Sequence, residues 1–133
     1  MIPNMFFIPL SRFLWTLVLL GAGTAHFVVP SWFTAYYPSY LPWPQTAVLL
    51  SGAVEWLLAA MLWSKRLQSH AWLPITMLMV AYVPVHVYVI THHDAVEHPL
   101  IAIPLWLAWI RLPIQGLLIW WAWRMRQATA RPS

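Results

Sequence analysis

The sequence contains no cysteine. Disulfides, thiolate metal sites and thiol catalysis are thereby excluded, and redox chemistry would have to come from a bound cofactor. Charge is nearly as scarce. Only 8% of the 133 residues are Asp, Glu, Lys or Arg, while 62% are hydrophobic and 16% aromatic, eleven of them Trp. A water-soluble domain of this size would lack the polar residues to cover its surface, so the chain belongs in a bilayer. Acids are the rarest: three Asp and Glu stand against seven Lys and Arg, a formal charge of +4. The surplus forms no basic cluster on a polar, aromatic-interleaved segment, so the composition argues against nucleic acid as a partner and the positive charge reads as membrane topology. No internal repeat or low-complexity tract stands out.

What is present is apolar length. Cut at its charges and prolines, the chain gives four segments, at about 6–29, 44–63, 71–91 and 104–123. Each is close to the roughly 20 residues a helix needs to cross a bilayer. The first carries Arg12, Thr16 and Thr24 where a cleavable signal would have a plain apolar centre, so it is read as a retained span. The intervening stretches VPSWFTAYYPSYLPWP, SKRLQSH and HHDAVEHPLIAI, with the terminal WRMRQATARPS, are read as loops. The expected architecture is all-α, a single transmembrane domain over 1–133 built as a four-helix bundle.

Arg12, Lys65, Arg66, Arg124, Arg126 and Arg131 lie at the N-terminus, between the second and third spans, and after the fourth. The other two links have neither Lys nor Arg. The positive-inside rule then predicts both termini on the cytoplasmic side.

Polar groups at membrane depth gather in the half away from those cations. His26, Glu55, His86, Arg111 and Gln115 come from all four spans and lie within about two to three turns of the outer surface. Helical spacing places Arg12, Thr16, Gly23 and His26 on one stripe of the first span and Ser51, Gly52, Glu55 and Ala59 on one of the second. Tyr82, His86 and His93 share a stripe of the third, and Arg111 and Gln115 one of the fourth. Polar groups facing lipid are costly, so these stripes should point into the bundle, where small residues also allow close approach. For Ser51, Thr16 and Gln115 the plain alternative is hydrogen-bonded glue between helices. Glu55 and Arg111 carry more weight, since an ionisable group at membrane depth is by default a functional-site candidate; an internal ion pair between them is the architectural alternative.

The stretch PVHVYVITHHDAVEHP holds four of the six histidines and two of the three acids. His26 and His86 sit at similar depth on different helices, the arrangement by which a bundle holds a haem iron or another metal. His92, His93, Asp94, Glu97 and His98 follow the third span as a second metal site, a proton-collecting mouth or a wet loop. The combined expectation is an outward-facing polar pocket, with Glu55, His86 and His26 exchanging protons and Arg111, Gln115, Ser51 and Tyr82 binding the head of a ligand.

GAGTAHFVVPSWF at 21–33, the loop ending in YLPWP, LLSGAVEWLLAAMLW at 49–63, AYVPVHVYV at 81–89 and IRLPIQGLLIWWAW at 110–123 together resemble the DoxX-like family of small four-helix membrane proteins. By that resemblance His26, Pro30 and Phe33 match the family's His-Phe and following Pro and Phe, Ser51, Gly52 and Glu55 its Ser-Gly-x-x-Glu, and Arg111, Pro113 and Gln115 its Arg-Leu-Pro-x-Gln. Pro84-Val85-His86 departs from the Pro-Ala-Asn of many relatives and gives the pocket a more basic or metal-binding character. The resemblance implies association with respiratory or sulfur-linked redox complexes, including quinone reduction during thiosulfate oxidation.

Three functions remain open at this point. The favoured one is a redox-associated subunit or oxidoreductase of a bacterial inner membrane, binding a quinone-like or other small apolar ligand. Quinone, haem or a metal ion are the cofactors considered, and a redox partner protein or a homodimer the protein partners. No flavin or nicotinamide motif is present, so electrons would enter from a partner or a haem. The others are a proton-coupled exporter of small hydrophobic or cationic compounds and a non-redox lipid binder or isomerase using Glu and His.

Overall fold

The computed structural model describes residues 3–95 and 103–130. Four long helices carry the fold: α1 Pro3–Val28, α3 Pro44–Trp63, α4 Trp72–Thr91 and α5 Leu105–Ala130, with a short α2 at Pro30–Thr34 and a 3₁₀ turn at His93–Ala95. Among the described residues there is no strand. All four long helices are long and apolar enough to cross a membrane, and the protein is a four-helix bundle of that kind. Its outward faces agree. Phe13, Leu17, Leu50, Leu57, Met77 and Leu117 are each more than half exposed, an arrangement suited to lipid and not to water.

The local causes are visible at the breaks. Pro30 lacks an N–H and disfavours helical backbone at the residue before it, so α1 stops at Val28 and Val29 turns to φ −131°, ψ 56°. Pro30 then opens α2, and Pro44 opens α3, in the first-turn positions where the missing donor costs nothing. The segment expected to be a plain loop between the first two spans thus contains a helical turn. A second departure is α5. It runs to Ala130 where its span was expected to end near 123, because RMRQATA contains neither Gly nor Pro and Arg, Met, Gln and Ala favour helix. Arg124 and Arg126 continue it by lying over the Trp120 and Trp123 rings at 5.9 and 4.7 Å.

The helices pack as two pairs, α1 along α3 and α4 along α5, with sparser contact between the pairs. Buried side chains fall on helical stripes. On α1 these are Ser11, Trp15, Leu19, Gly23 and His26; on α5, Ala108, Gln115, Ala122 and Met125. Arg12 and Thr16, expected on the α1 stripe, lie one residue round its flank and are half-buried. There Arg12 Nε donates to the Leu62 carbonyl at 2.9 Å and Trp63 Nε1 to Thr16 Oγ1 at 2.8 Å, tying α1 to the end of α3.

Packing divides the bundle along its length. Toward the chain termini lies an apolar core of Trp15, Leu19, Leu58, Leu62, Trp72, Ile75, Met79 and Met125. At the distal end lies a smaller cluster of Tyr36, Val89 and Ala108 with Ile90 and Ile103. Between the two sits a polar layer.

Candidate ligand-binding site

A cavity of about 360 Å³ occupies that layer, between the helix pairs and beneath α2. His26 from α1, Ser51 and Glu55 from α3, Tyr82 and His86 from α4, and Arg111 from α5 all line it. Six of the residues singled out in the sequence therefore meet around one space. The apolar walls come from Val48, Val85, Val89 and the aromatic rings of Trp32, Phe33 and Tyr36.

Glu55 is 1% exposed and His26 6%. Tyr82 donates its hydroxyl hydrogen to Glu55 Oε1 at 2.7 Å, and Oε2 is buried without a partner. His26 Nδ1 lies 3.9 Å from Oε2, beyond hydrogen-bond range, and neither atom has a partner. The His26 ring is held edge-on against Phe33, with centroids 4.0 Å apart, so α2 fixes its orientation.

His86 is positioned from behind. Gln115 donates its Nε2 hydrogen to the Met79 carbonyl, so its amide oxygen is the atom that faces His86, at 3.2 Å from Nε2. An amide oxygen only accepts, and therefore Nε2 of the neutral ring carries the proton and Nδ1 is left as a bare lone pair. Nδ1 is buried and has no partner. Buried polar atoms are nearly always satisfied; of the five unpartnered ones among the described residues, Trp15 Nε1 and Trp72 Nε1 belong to the apolar core, and the other three sit on residues that line this cavity.

Several expectations change here. Gln115 was expected to touch a ligand; it does not line the cavity, and its two bonds make it the support of His86. Ser51 lines the cavity but gives its hydroxyl hydrogen to the Ala47 carbonyl at 2.8 Å, so its free lone pairs are what it offers. Glu55 and Arg111 form no ion pair among the described residues; Glu55 Oε1 accepts from Tyr82, and Oε2 lies 3.9 Å from His26 Nδ1. His93, expected on the stripe with Tyr82 and His86, sits beyond the end of α4 and pairs with Asp94 at 2.9 Å. His92 stacks on Tyr88 with centroids 4.0 Å apart, so the two neighbouring histidines turn to separate partners. Among the described residues no group of three or more His, Asp or Glu could hold a metal. Glu97 and His98 lie outside the described residues.

Tyr36 was missed. It is 5% exposed, lines the cavity, and its hydroxyl accepts the Ile103 N–H at 2.9 Å, joining the link after α2 to the entry of α5. From the sequence its segment reads as a plain loop. The helical turn at Pro30–Thr34 folds that segment over the cavity, and at five residues it is too short to leave a periodic signal in the sequence.

Fold and site together define a protein of four membrane-length helices around a mostly apolar cavity with a few polar groups on its wall. Residues 15–126, from Trp15 in α1 to Arg126 in α5, match the family described as a domain of unknown function (DUF8561), and the chain belongs to that family. No curated protein and no solved structure matches it.

Proposed function

We propose that this protein is a ligand-binding subunit of a bacterial inner-membrane redox system, whose cavity takes a quinone-like or other small apolar molecule with oxygen atoms on its head. The observation that carries the proposal is the set of three unpartnered buried atoms, His26 Nδ1, Glu55 Oε2 and His86 Nδ1, on residues lining one cavity. An apolar body would rest against Val48, Val85 and the aromatic rings, while hydroxyl or carbonyl oxygens meet the polar wall. His86 Nδ1, as a lone pair, favours a hydroxyl donor and hence the reduced form of such a ligand. The resemblance to the DoxX-like family supports the redox setting, and a partner protein supplies the electrons. Both termini lie in the cytoplasm, with the cavity toward the opposite face.

The pairing of Glu55 with His26, two proton-carrying groups 3.9 Å apart on one wall, favours a second reading, proton exchange on a bound lipid without net oxidation.

The first test is a lipid-extract mass spectrum and optical spectrum of detergent-purified protein, repeated for His86→Ala and Glu55→Gln. A single apolar species retained near one per chain in the wild type, and depleted several-fold in both variants, is the expected result. Variants that keep the same bound species as the wild type would refute the site.

A further inference from the structure

Arg111 lines the same cavity from α5, half-buried, and makes no hydrogen bond or ion pair with the described residues. It lies six residues into its helix, roughly 9 Å of helical rise from Leu105. The carboxyl group on the cavity wall does not serve it, because Glu55 Oε1 accepts from Tyr82 and Oε2 lies beside His26. Its electrostatic neighbour is Tyr36, whose hydroxyl already accepts from the Ile103 backbone. A guanidinium has five N–H donors, no acceptor, and a permanent charge. At membrane depth such a group without a counter-charge among the described residues is costly, and a neutral hydroxyl does not compensate it.

On the opposite wall the requirement is different. Glu55 Oε2 and His26 Nδ1, both fully covered and unpartnered, stand 3.9 Å apart, so one oxygen atom admitted beside that gap by a small shift of the covering side chains reaches both. A hydroxyl fits this slot, giving its hydrogen to one atom and accepting from the other.

We infer that the cavity's ligand is an amphiphile bearing both an oxyanion, seated on Arg111, and a hydroxyl, seated between Glu55 and His26. The inference rests on the reading of the cavity as a ligand site and narrows its chemistry. Carboxylate, phosphate and ionised phenol share the oxyanion character that Arg111 selects, and planar bidentate recognition favours the first two.

Isothermal titration of the full chain in phosphatidylcholine nanodiscs tests this with four probes: 3-hydroxydecanoate, decanoate, decyl phosphate and 1-decanol. The wild type should bind 3-hydroxydecanoate about tenfold or more tighter than 1-decanol, the difference a charge-assisted bond makes. Arg111→Gln should bring the acid to the level of the alcohol, and Arg111→Lys should keep part of the preference. His26→Leu should remove the advantage of 3-hydroxydecanoate over decanoate and leave the acid-over-alcohol preference in place. Circular dichroism of each variant confirms the helical fold. The ratio of decyl phosphate to decanoate identifies the oxyanion. Alcohol binding as tight as acid, or an unchanged preference in Arg111→Gln, overturns the oxyanion seat and leaves the cavity reading standing. Binding of none of the four overturns both.

Discussion

Gly23 and Gly52 set the distance between α1 and α3. A Cβ on Gly52 would lie 2.8 Å from the His26 Cβ and 2.9 Å from the Gly23 carbonyl oxygen, while one on Gly23 would lie 2.7 Å from Trp56 Cδ1 and 2.9 Å from the Gly52 carbonyl oxygen. Backbone is what blocks each position, and it cannot rotate away. Gly21 and Gly116 meet nothing within 4 Å. Thermal unfolding in detergent should therefore separate the four. Gly52→Ala and Gly23→Ala should each cost about 1–3 kcal/mol, as overpacking does. Gly21→Ala and Gly116→Ala should be neutral or gain about 0.5–1 kcal/mol of helix propensity. Gly52→Ala should also weaken ligand retention, because it displaces the His26 side chain. The small-residue faces were legible from spacing alone. Which glycines touch backbone was not, since Gly21 is two residues from Gly23 yet faces the other way.

Among the elements, α2 and the chain after it decide how the cavity is closed. Phe33 presses on His26, and Tyr36 accepts the Ile103 N–H. Farther along, Tyr88 on α4 donates its hydroxyl hydrogen to Ser39 Oγ at 3.4 Å, with Tyr40 packed edge-on against its ring. This segment thus bridges the α1–α3 pair to the α4–α5 pair at the distal end. Tyr36→Phe keeps the ring and removes the acceptor. Hydrogen exchange at the Ile103 amide should then lose protection by about five- to tenfold, in keeping with one hydrogen bond of about 1 kcal/mol. Unchanged exchange would mean that packing of Tyr36, Val89 and Ala108 holds the join without the bond. On α4 and α5, Pro84 and Pro113 each remove one donor from the ladder, freeing the carbonyls of Val80 and Trp109 near the cavity level. Apolar length between charges and prolines located the long helices well. It could not foresee α2, a five-residue helix too short to show a period.

Across the whole molecule, polarity is inverted relative to a soluble bundle: large apolar side chains face outward and the buried polar groups Glu55, His26 and Gln115 face in. Arg12, Lys65, Arg66, Arg124 and Arg126 all belong to the end of the bundle that carries the termini. The absence of cysteine makes orientation directly measurable. Single cysteines at Ser39, Ser69 and Gln127 in intact cells, treated with a membrane-impermeant maleimide, should label at Ser39 and stay protected at Ser69 and Gln127. Labelling at Ser69 would reverse the orientation and turn the cavity toward the cytoplasm.

The sequence by itself determined the class of the molecule: four apolar runs of membrane length, separated by proline-bearing or charged links, leave no other use for 62% hydrophobic residues. It also determined that His26, Glu55, His86 and Arg111 could converge, because a polar group in each apolar run can avoid lipid only by facing its neighbours. Tertiary structure alone decided the partners. Glu55 goes to Tyr82 and not to Arg111, and Gln115 backs His86 instead of touching the cavity. Helix rotation and the kinship of α1 with α3 and α4 with α5 set those choices. Spacing along one helix fixes a face to within a turn, whereas a hydrogen bond requires two faces to match within a few tenths of an ångström.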